Sequence, residues 1–242
     1  GKSFAIEYAR LGYDLVLVAR DKNKLNEVKK IIGNRVNVDV VSMDLNNIDK
    51  FKKLYNDYRD IDILINNAGF GLFGEFIDID LDRELEMIDI NVKALHCLMN
   101  LYLNDMVKRD SGYILNVASI AGFMPGPLMS TYYATKNYVT KWTLGVYEEL
   151  KQAKSNVHIS CLCPGPVDTN FNKVAGGSFN MKALSSEYVA KYGIDKMFKN
   201  KLIIVPGFIV KAGIFFNRFI PYKLSLRIVY NIQNKKVSGK NV

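Results

Sequence analysis

The sequence predicts an α/β fold: an open, doubly wound parallel sheet covered by helices on both faces, in three α/β/α layers. Short apolar runs of strand length, such as 14–19, alternate with longer stretches whose apolar residues recur at helical spacing, such as 21–32. The runs are apolar throughout, which is typical of strands buried on both faces. At 242 residues and 49% hydrophobic content, the chain can bury the core of one domain. We expect that domain to span 1–242, with a helical extension over about 207–242.

The elements follow one another in a regular order after an opening helix. Residues 2–11 are predicted to be helical, with Ala5 and Ala9 on a closely packed face and Gly12 at the exit turn. A fold of this class requires a strand and a glycine-rich turn before that helix, so we expect about a dozen residues to precede Gly1. Further strands are predicted at 14–19, 36–43, 61–65, 112–118, 157–162 and 202–205.

Helices are predicted between these strands, and Asn47 is expected to cap one of them. A long helical stretch from Asp80 to Lys108 contains Asn91, and Tyr132 to Gln152 forms the next helix. The stretch 170–184 has the composition of a loop and is where a mobile lid would lie.

The last part of the chain, 207–242, is rich in Phe and Ile with interspersed Lys and Arg. It predicts two helices that are broken at Pro221. Helices of this kind can make peripheral contact with a membrane surface, or they can cover a binding cleft and a subunit contact. The second interpretation is favoured, because an apolar helical face in a globular domain is usually core.

The net charge of +9 raises the question of an anionic partner. The basic residues are spread over several helices, which is typical of solvated faces, and no RNA-binding aromatic motif, zinc-finger spacing or basic heptad accompanies them. We therefore expect no nucleic-acid partner. No apolar run of about 18 residues and no signal-peptide pattern is found, which favours a cytoplasmic location.

The three cysteines, Cys97, Cys161 and Cys163, lack the spacing of a disulfide framework, so reduced thiols are expected. Cys161 and Cys163 would share one face of a strand. No second cysteine pair or histidine cluster completes a ligand set, so we predict no metal site.

A serine, a tyrosine and a lysine form the most informative pattern in the chain. Tyr132 and Lys136 stand four residues apart at the start of a predicted helix, which places the phenol and the ammonium on one face. A neighbouring cation favours the phenolate, so Lys136 should lower the pKa of Tyr132. Ser119 lies thirteen residues before Tyr132 and adds a hydroxyl. Tyr133 is also near Lys136 in helical spacing, so helix geometry alone leaves the two tyrosines in competition.

The segment Asn66-Asn67-Ala68-Gly69 follows a predicted strand directly, at the carboxyl edge where parallel sheets bind ligands. With Ser119 and the spacing of Tyr132 and Lys136, it resembles the classical short-chain dehydrogenase/reductase family across nearly the whole chain. The resemblance implies a Rossmann-like fold and an oxidoreductase that interconverts an alcohol and a carbonyl by hydride transfer. The motif spacing selects Tyr132 rather than Tyr133.

Hydride transfer to a carbonyl builds negative charge on its oxygen, so the site needs a hydrogen-bond donor and a proton there. The resemblance assigns the proton to Tyr132 and the oxygen contact to Ser119. It also implies that Lys136 binds the nicotinamide ribose, and that Asn91 keeps a water between this lysine and solvent. A homo-oligomer, dimer or tetramer, is implied as well.

Other positions match the cofactor contacts of the family. Gly1 matches the last glycine of the phosphate-binding turn, Asp44 and Leu45 would border the adenine, and Asn67 to Gly69 would lie on the adenosine ribose side. Contacts to the nicotinamide carboxamide and the phosphates are implied for Pro164, Gly165, Val167 and Thr169.

The end of the strand at 14–19 indicates which cofactor is used. A carboxylate there would bind the ribose 2′-hydroxyl of NAD(H), whereas an arginine can pair with the 2′-phosphate of NADP(H). The sequence places Ala19, Arg20 and Asp21 at this point, so NADP(H) is favoured, with Arg20 as the phosphate ligand. Asp21 could still compete for the ribose.

The positions expected to line the substrate pocket are largely apolar, which fits an apolar small-molecule carbonyl or alcohol. They are Gly71 to Gly74, Phe123 to Pro125, Met129, Phe171 and Phe179.

Two other classes of function remain open. A non-catalytic NADP(H)-binding regulatory protein of the same fold would need no proton donor, and the four candidate catalytic residues argue against it. A serine hydrolase using Ser119 is disfavoured, because the neighbours of this serine lack the glycines of a nucleophile elbow. The only histidines are His96 and His158, and His158 is predicted to lie in a buried strand.

Overall fold

The computed structural model describes residues 1–171, 175 and 183–238 of the chain. Its α-helices are α1 (Lys2–Arg10), α2 (Lys22–Ile32), α3 (Ile48–Asp57), α4 (Leu81–Ile88), α5 (Leu95–Lys108), α6 (Ser130–Gln152), α7 (Ser186–Phe198), α8 (Phe208–Asn217) and α9 (Tyr222–Ser238). Its strands are β1 (Leu15–Ala19), β2 (Val38–Ser42), β3 (Ile63–Asn66), β4 (Tyr113–Val117), β5 (His158–Leu162), β6 (Val167–Asp168), β7 (Leu184–Ser185) and β8 (Ile203–Ile204).

Every strand pair is parallel. β2 pairs with β1, while β3, β4, β5 and β8 form a second sheet in that order. Helices cover this sheet on both faces, so the prediction of a Rossmann-like α/β fold with a parallel sheet is confirmed. β6 and β7 form a separate two-residue ladder, which was not predicted because two residues carry no periodicity.

A groove of about 1200 Å³ separates the two larger sheets. Its walls include the facing edges of β1 and β3 together with α1. The groove reaches the carboxyl ends of β1 and β3, where Arg20 and Gly69 lie.

The β3-β4-β5-β8 sheet is packed on both faces by apolar side chains. Ile114 and Leu115 are consecutive, fully buried residues of β4, and their side chains point to opposite faces. Ile114 packs in a cluster with Phe51 of α3 and Met99 of α5. Leu115 packs in a second cluster with Phe4 of α1 and with α7. This two-sided burial explains why the strands are apolar throughout.

Polar and glycine residues fix where several elements begin and end. The Asn47 side chain accepts a hydrogen bond of 2.9 Å from the Asp49 amide at the start of α3, which confirms the predicted cap. The Asp21 side chain accepts one of 3.1 Å from the Lys24 amide at the start of α2. Gly12 has a φ of +87°, a left-handed conformation that favours glycine, so the chain can turn sharply from α1 into β1.

The helical stretch from α4 to α5 contains one irregular turn. Residues 89–94 form a π-helical turn between Ile88 and Leu95. The sequence predicts an uninterrupted helix here, because apolar periodicity does not reveal a single wide turn. Such turns occur frequently at functional sites, and Asn91 lies within this one, fully buried.

The C-terminal helices α8 and α9 are broken at Pro221, as predicted. No helix of the described ranges is both long enough and apolar enough to cross a membrane. Of the loop predicted at 170–184, residues 172–174 and 176–182, with Phe179 among them, lie outside the described part of the chain.

Candidate active site

Three of the candidate catalytic residues meet where β4 ends and α6 begins. Ser119 follows β4 and starts a short 3₁₀ turn, in which its hydroxyl accepts a hydrogen bond of 3.2 Å from the Ala121 amide. Tyr132 and Lys136 lie in the first two turns of α6, which packs against this 3₁₀ turn. The fold thus brings together the hydroxyl, the phenol and the ammonium that the sequence spacing singled out.

The two adjacent tyrosines of α6 have different partners. The Ser119 side chain lies beside the Tyr132 hydroxyl and lowers the pKa of the phenol. The Tyr133 hydroxyl instead accepts a hydrogen bond of 2.7 Å from Gln233 of α9. The structure therefore places Tyr132 beside Ser119 and directs Tyr133 towards the C-terminal helix.

The pKa of Tyr132 differs from our expectation. We expected Lys136 to lower it, but burial raises the pKa of the phenol above its usual value, and the Ser119 side chain opposes this only in part. The Lys136 Nζ lies 5.9 Å from the centroid of the Tyr132 ring and donates to the Val117 carbonyl at 2.9 Å. Because loss of solvation is the largest effect on this enclosed phenol, the prediction of a lowered pKa is wrong.

Lys136 is a buried cation. The residue is 5% exposed, and burial lowers its pKa to about 8. The Cys161 and Cys163 thiols oppose this effect. Their sulfur atoms lie 3.5 Å apart without a disulfide bond, as expected for reduced thiols on one face of a strand. A lysine with a pKa of about 8 can exchange its proton near neutral pH.

Hydrogen bonds of the Asn91 side chain link the segment after β3 to α6. Its side-chain amide donates to the Phe70 carbonyl at 2.8 Å and to the Thr135 hydroxyl at 3.1 Å, and its Oδ1 accepts from the Phe70 amide at 3.0 Å. Since Thr135 lies between Tyr132 and Lys136 along α6, these bonds position α6. The water-holding role that the resemblance implies for Asn91 stays a prediction.

Gly69 lies so close to the candidate catalytic residues that it has no room for a side chain. A Cβ at this position would be 2.9 Å from Asn91 Oδ1 and 3.4 Å from Lys136 Nζ. The first distance is shorter than real Cβ contacts, so any larger residue would displace Asn91. The glycine of this motif is therefore required by the packing of the site itself.

The neighbouring residues Asn67 and Ala68 line the groove together with Gly1. A Cβ on Gly1, at the start of α1, would lie 3.3 Å from Asn67 Nδ2. The start of α1 and the Asn67 side chain thus approach each other closely at one end of the groove. A glycine at the start of a helix suits a nucleotide, whose phosphates need close approach to main-chain groups.

Asp44 carries a polar atom that lacks a partner, because its buried Oδ1 forms no hydrogen bond with any described residue. An adenine amino group is the donor that such an oxygen lacks, so Asp44 fits the expected adenine contact. Leu45 is 8% exposed and packs in the core cluster with Phe51 and Leu54, and it also borders the groove.

Arg20 lies at the end of the groove, where the sequence predicts it, but it is already paired. Its Nη1 donates to Glu86 Oε1 at 2.6 Å, and Arg83 contacts the other oxygen of that carboxylate. The Arg20 side chain is still 57% exposed. Asp21, the possible competitor for the ribose, caps α2 and pairs with Lys24. A phosphate would therefore replace Glu86 as the partner of Arg20.

The segment after β5 is attached beside Ser119. The Pro164 carbonyl accepts a hydrogen bond of 3.0 Å from the Ile120 amide, which follows Ser119 directly. The other expected cofactor residues of this segment come next: half-buried Gly165, Val167 at the start of β6, and exposed Thr169. All four lie at the carboxyl edge of the sheet, and their cofactor contacts stay predictions.

Apolar side chains surround the Tyr132 ring. The Phe171 ring centroid lies 5.3 Å from it, and Met129 is buried in the same cluster. Other expected lining residues that join this cluster are Leu72 and Phe73. A Cβ on Gly71 would lie 3.1 Å from the Tyr132 ring, so this glycine lets the chain pass close to the phenol.

Phe123 was expected in the same pocket, and the structure corrects this. It packs instead in a cluster with Cys161 of β5 and Cys163, which follows that strand. The 3₁₀ turn Ile120–Phe123 directs this side chain towards the sheet, which the order of residues alone does not reveal.

A buried polar network escaped prediction. Asn116 of β4 is fully buried, its Oδ1 accepts a hydrogen bond of 2.8 Å from Asn66, and its amide donates to the Thr143 hydroxyl at 2.9 Å. The network joins the strand that precedes the Gly69 segment to the middle of α6. The sequence does contain an indication of this network, because Asn116 is a polar residue inside an apolar strand run. A buried amide needs hydrogen-bond partners.

The two histidines have structural partners away from Ser119. His96 Nδ1 lies 2.7 Å from the Tyr138 hydroxyl, and its ring stacks on Trp142. His158 begins β5, so it lies at the amino edge of the sheet, opposite Ser119. The pairing that a serine hydrolase requires is therefore not formed by the residues that the structure describes.

Residues 1–177 match the family model described as short chain dehydrogenase. A similar curated protein is the very-long-chain 3-oxoacyl-CoA reductase-B of Danio rerio, which is 35% identical over 182 residues. The match covers 72% of this chain and 58% of that relative's length, so the chain spans little more than half of it.

Solved structures share the fold. A short-chain dehydrogenase from Sphingobium yanoikuyae in complex with NADPH has a TM-score of 0.80 and 28% identity, covering 86% of this chain and 84% of that chain. A short chain dehydrogenase/reductase from Burkholderia phymatum in complex with NAD has a TM-score of 0.81, covering 88% and 87%. Its identity is 22%, so it shows likeness of fold alone. The two structures hold different nicotinamide cofactors.

Proposed function

The chain belongs to the short chain dehydrogenase family of NAD(P)-dependent oxidoreductases, and from this premise we propose that it reduces an apolar carbonyl with NADPH. The observation that carries the proposal is the position of Ser119 beside the Tyr132 hydroxyl, with Lys136 one turn further along α6. NADPH, when bound, supplies the hydride. The chain supplies a proton and holds the oxygen that receives it.

In reduction, the hydride adds to the carbonyl carbon and the oxygen becomes negatively charged. The Ser119 hydroxyl donates a hydrogen bond to this oxygen, and Tyr132 transfers its phenolic proton to it, which yields the alcohol. The raised pKa keeps Tyr132 protonated at neutral pH, which is the form that reduction requires. Oxidation reverses these steps, with Tyr132 as the general base.

Lys136 is proposed to return the proton to Tyr132. Its ammonium lies over the phenol ring, and its pKa of about 8 allows it to lose and regain a proton near neutral pH. We also propose that Lys136 binds the nicotinamide ribose. Asp44 would hold the adenine amino group, and the backbone near Gly69 and Gly1 would hold the adenosine ribose and the phosphates.

The preference for NADP(H) is proposed on the position of Arg20 at the end of the groove. Its guanidinium already binds a carboxylate and keeps over half of its surface exposed, so a 2′-phosphate can take the place of Glu86. Asp21 does not oppose this, because its carboxylate caps α2.

The substrate is proposed to be a 3-oxoacyl thioester or another ketone with a long apolar chain. The cluster around Tyr132 offers such a chain apolar contacts at Met129 and Phe171. The relative of Danio rerio is named for the reduction of very-long-chain 3-oxoacyl-CoA, which is a chemistry of this class.

The test is the consumption of NADPH and of NADH with a panel of 3-oxoacyl-CoA thioesters of increasing chain length and with small ketones. We expect turnover with NADPH that increases with chain length, because each added CH₂ buried stabilises the complex by about 0.8 kcal/mol. The variant Arg20→Ala should raise KM for NADPH about tenfold and leave KM for NADH unchanged. Arg10→Ala is the matched control, an exposed arginine that also pairs with a glutamate.

No turnover with any carbonyl of the panel would contradict the proposed reaction. A preference for NADH, or an equal effect of Arg20→Ala on both cofactors, would contradict the assignment of Arg20.

A homo-oligomer and a cytoplasmic location also stay proposals. An exposed apolar stripe on α4, formed by Leu81, Leu85 and Ile88, is a face that a second copy could cover. Light scattering of the purified protein tests the oligomer, and fractionation of the source cells tests the location.

A further inference from the structure

The excess of basic over acidic residues in this chain comes from its last part. Residues 1–195 contain 23 Lys and Arg against 24 Asp and Glu, whereas 196–242 contain ten Lys and Arg and no acidic residue. The net charge of +9 therefore comes entirely from 196–242. The basic residues of the earlier helices are balanced by acids, as expected for solvated faces.

Five of these C-terminal cations have no acidic partner among the residues that the structure describes. Lys196 and Lys199 share the carboxylate of Asp195. The ion pairs formed by the described residues include none of the next five cations, which are Lys201, Lys211, Arg218, Lys223 and Arg227. All five are exposed, so their charge is available to an anionic partner.

Helix α9 packs with a polar side inwards. Ser225, Val229 and Gln233 are buried at intervals of four residues, and Gln233 bonds to Tyr133. The large apolar side chains next to them along the helix are 37% to 50% exposed: Leu224, Leu226, Ile228, Tyr230 and Ile232. This is the reverse of a helix that packs its apolar face on a core.

Helix α8 and the turn after it expose more apolar surface. Phe215, Phe216 and Phe219 are 52%, 63% and 72% exposed. Their rings form one cluster, because the Phe215 centroid lies 5.5 Å from each of the other two. We call the exposed apolar and basic side chains of 208–232 the C-terminal patch. Contiguous apolar surface of this kind marks an interaction site.

A cavity of about 320 Å³ adjoins the C-terminal patch between α7, β8 and α8. Its wall combines apolar and cationic side chains, among them Ile203, Ile214, Phe215, Lys201, Lys211 and Arg218. The apolar side chains of such a wall can bind an acyl chain, and its cations can bind a phosphate. A phospholipid carries both groups.

We propose that the C-terminal patch docks on the surface of an anionic phospholipid bilayer, with α8 and α9 lying in the interface. Exposed Phe, Leu and Ile side chains would enter the acyl boundary while the lysines and arginines contact headgroup phosphates. A second copy of this chain fits less well, because a two-fold contact through the patch would bring its four cations, Lys211, Arg218, Lys223 and Arg227, against the same four of the other copy. This interpretation replaces the cleft cover that the sequence favoured.

Docking would bring the active site close to the bilayer. α9 lies beside the catalytic helix, since Gln233 bonds to the residue next to Tyr132. A long-chain substrate could then reach the site from the membrane. This consequence rests on the proposed function, whereas the docking itself does not.

The test is cosedimentation of the full chain with phosphatidylcholine vesicles, with and without phosphatidylglycerol. We expect binding that requires phosphatidylglycerol and weakens as salt is raised. Lys211→Gln with Arg218→Gln should lower the partition coefficient about fivefold per charge. Phe216→Ser with Phe219→Ser should lower it about tenfold or more per ring.

Matched controls come from elsewhere on the surface. Lys52→Gln with Lys53→Gln removes two exposed cations of α3, and Phe76→Ser with Ile77→Ser removes two apolar side chains that are 64% and 85% exposed. Neither control should change binding. No binding of the parent chain to anionic vesicles, or equal losses in patch and control variants, would overturn the proposal. So would a dimer in light scattering that only the Phe216 and Phe219 variant dissociates, because a second copy would then cover the patch.

Discussion

The carboxyl edge of the sheet and the C-terminal helices differ in which side chains they bury. At the edge, Asn116 and Asn91 are fully buried, each with several hydrogen bonds, and the charged Lys136 is almost fully buried. On α8 and α9, by contrast, aromatic and aliphatic side chains are exposed while Ser225 and Gln233 are buried.

The two regions therefore affect the free energy of folding in different ways. Burying an amide or a cation costs free energy unless its partners are in place, so the edge sacrifices stability to position chemistry. Exposed apolar area contributes no free energy of burial until a partner covers it. Substitutions at the edge should therefore change activity and unfolding, whereas those on the C-terminal patch should change mainly association.

The largest effect is expected for Lys136→Met. Removing the ammonium should lower kcat at least about 100-fold, because the proposed proton relay and the proposed contact to the nicotinamide ribose would both be lost. Steady-state kinetics with NADPH measure this. Lys141→Met, on the exposed side of the same helix, is the control and should leave kcat near that of the parent.

Asn116→Ala should lower the free energy of unfolding by about 2–3 kcal/mol, because the buried groups of Asn66 and Thr143 lose their partner. The matched change Asn104→Ala, at an exposed asparagine of α5, should cost less than about 0.5 kcal/mol. Urea denaturation of both variants checks the difference. Equal losses would mean that the buried network does not hold the edge together.

The difference in stability between the Lys136→Met variant and the parent should depend on pH in a defined direction. The pKa of Lys136 is lowered from 10.5 in the unfolded chain to about 8 in the folded one, so folding opposes its protonation fully below pH 8. Between pH 8 and 10.5 the unfolded chain binds more protons, and the stability of the parent rises. The variant should exceed the parent by about 1–3 kcal/mol at pH 7, and the excess should shrink towards pH 10. A constant difference across this range would contradict the lowered pKa.

The smallest effect on folding is expected on the C-terminal patch. Phe216→Ser with Phe219→Ser should change the free energy of unfolding by less than about 0.5 kcal/mol per site, since both rings are exposed in the folded chain. Thermal unfolding in the absence of lipid measures this. A loss as large as that of Asn116→Ala would mean that the two rings are core, and the comparison between the regions would fail.

Much of the fold could be predicted from local sequence. Apolar runs such as that of β4 and the cap at Asn47 depend on neighbours along the chain, so their positions could be predicted within a few residues. The association of Ser119 with Tyr132 followed from motif spacing, because both lie next to the carboxyl end of β4.

Features that depend on distant contacts could not be predicted. Arg20 pairs with Glu86 across 66 residues, and no local pattern links them. The raised pKa of Tyr132 depends on how completely the fold encloses the phenol, whereas the sequence shows only the neighbouring cation. The exposure of α9 was missed because apolar periodicity shows that a helix has an apolar face, and not which side of it the protein covers.

The central claim is that Tyr132, and not its neighbour Tyr133, delivers the proton. The most direct test is kcat/KM for NADPH-dependent reduction of a long-chain 3-oxoacyl-CoA by the parent, Tyr132→Phe and Tyr133→Phe. Each substitution removes one buried hydroxyl from adjacent positions of α6, and Tyr133→Phe loses only the bond to Gln233. We predict that Tyr132→Phe falls at least about 100-fold while Tyr133→Phe stays within about tenfold of the parent. Parent-like turnover by Tyr132→Phe would contradict the account.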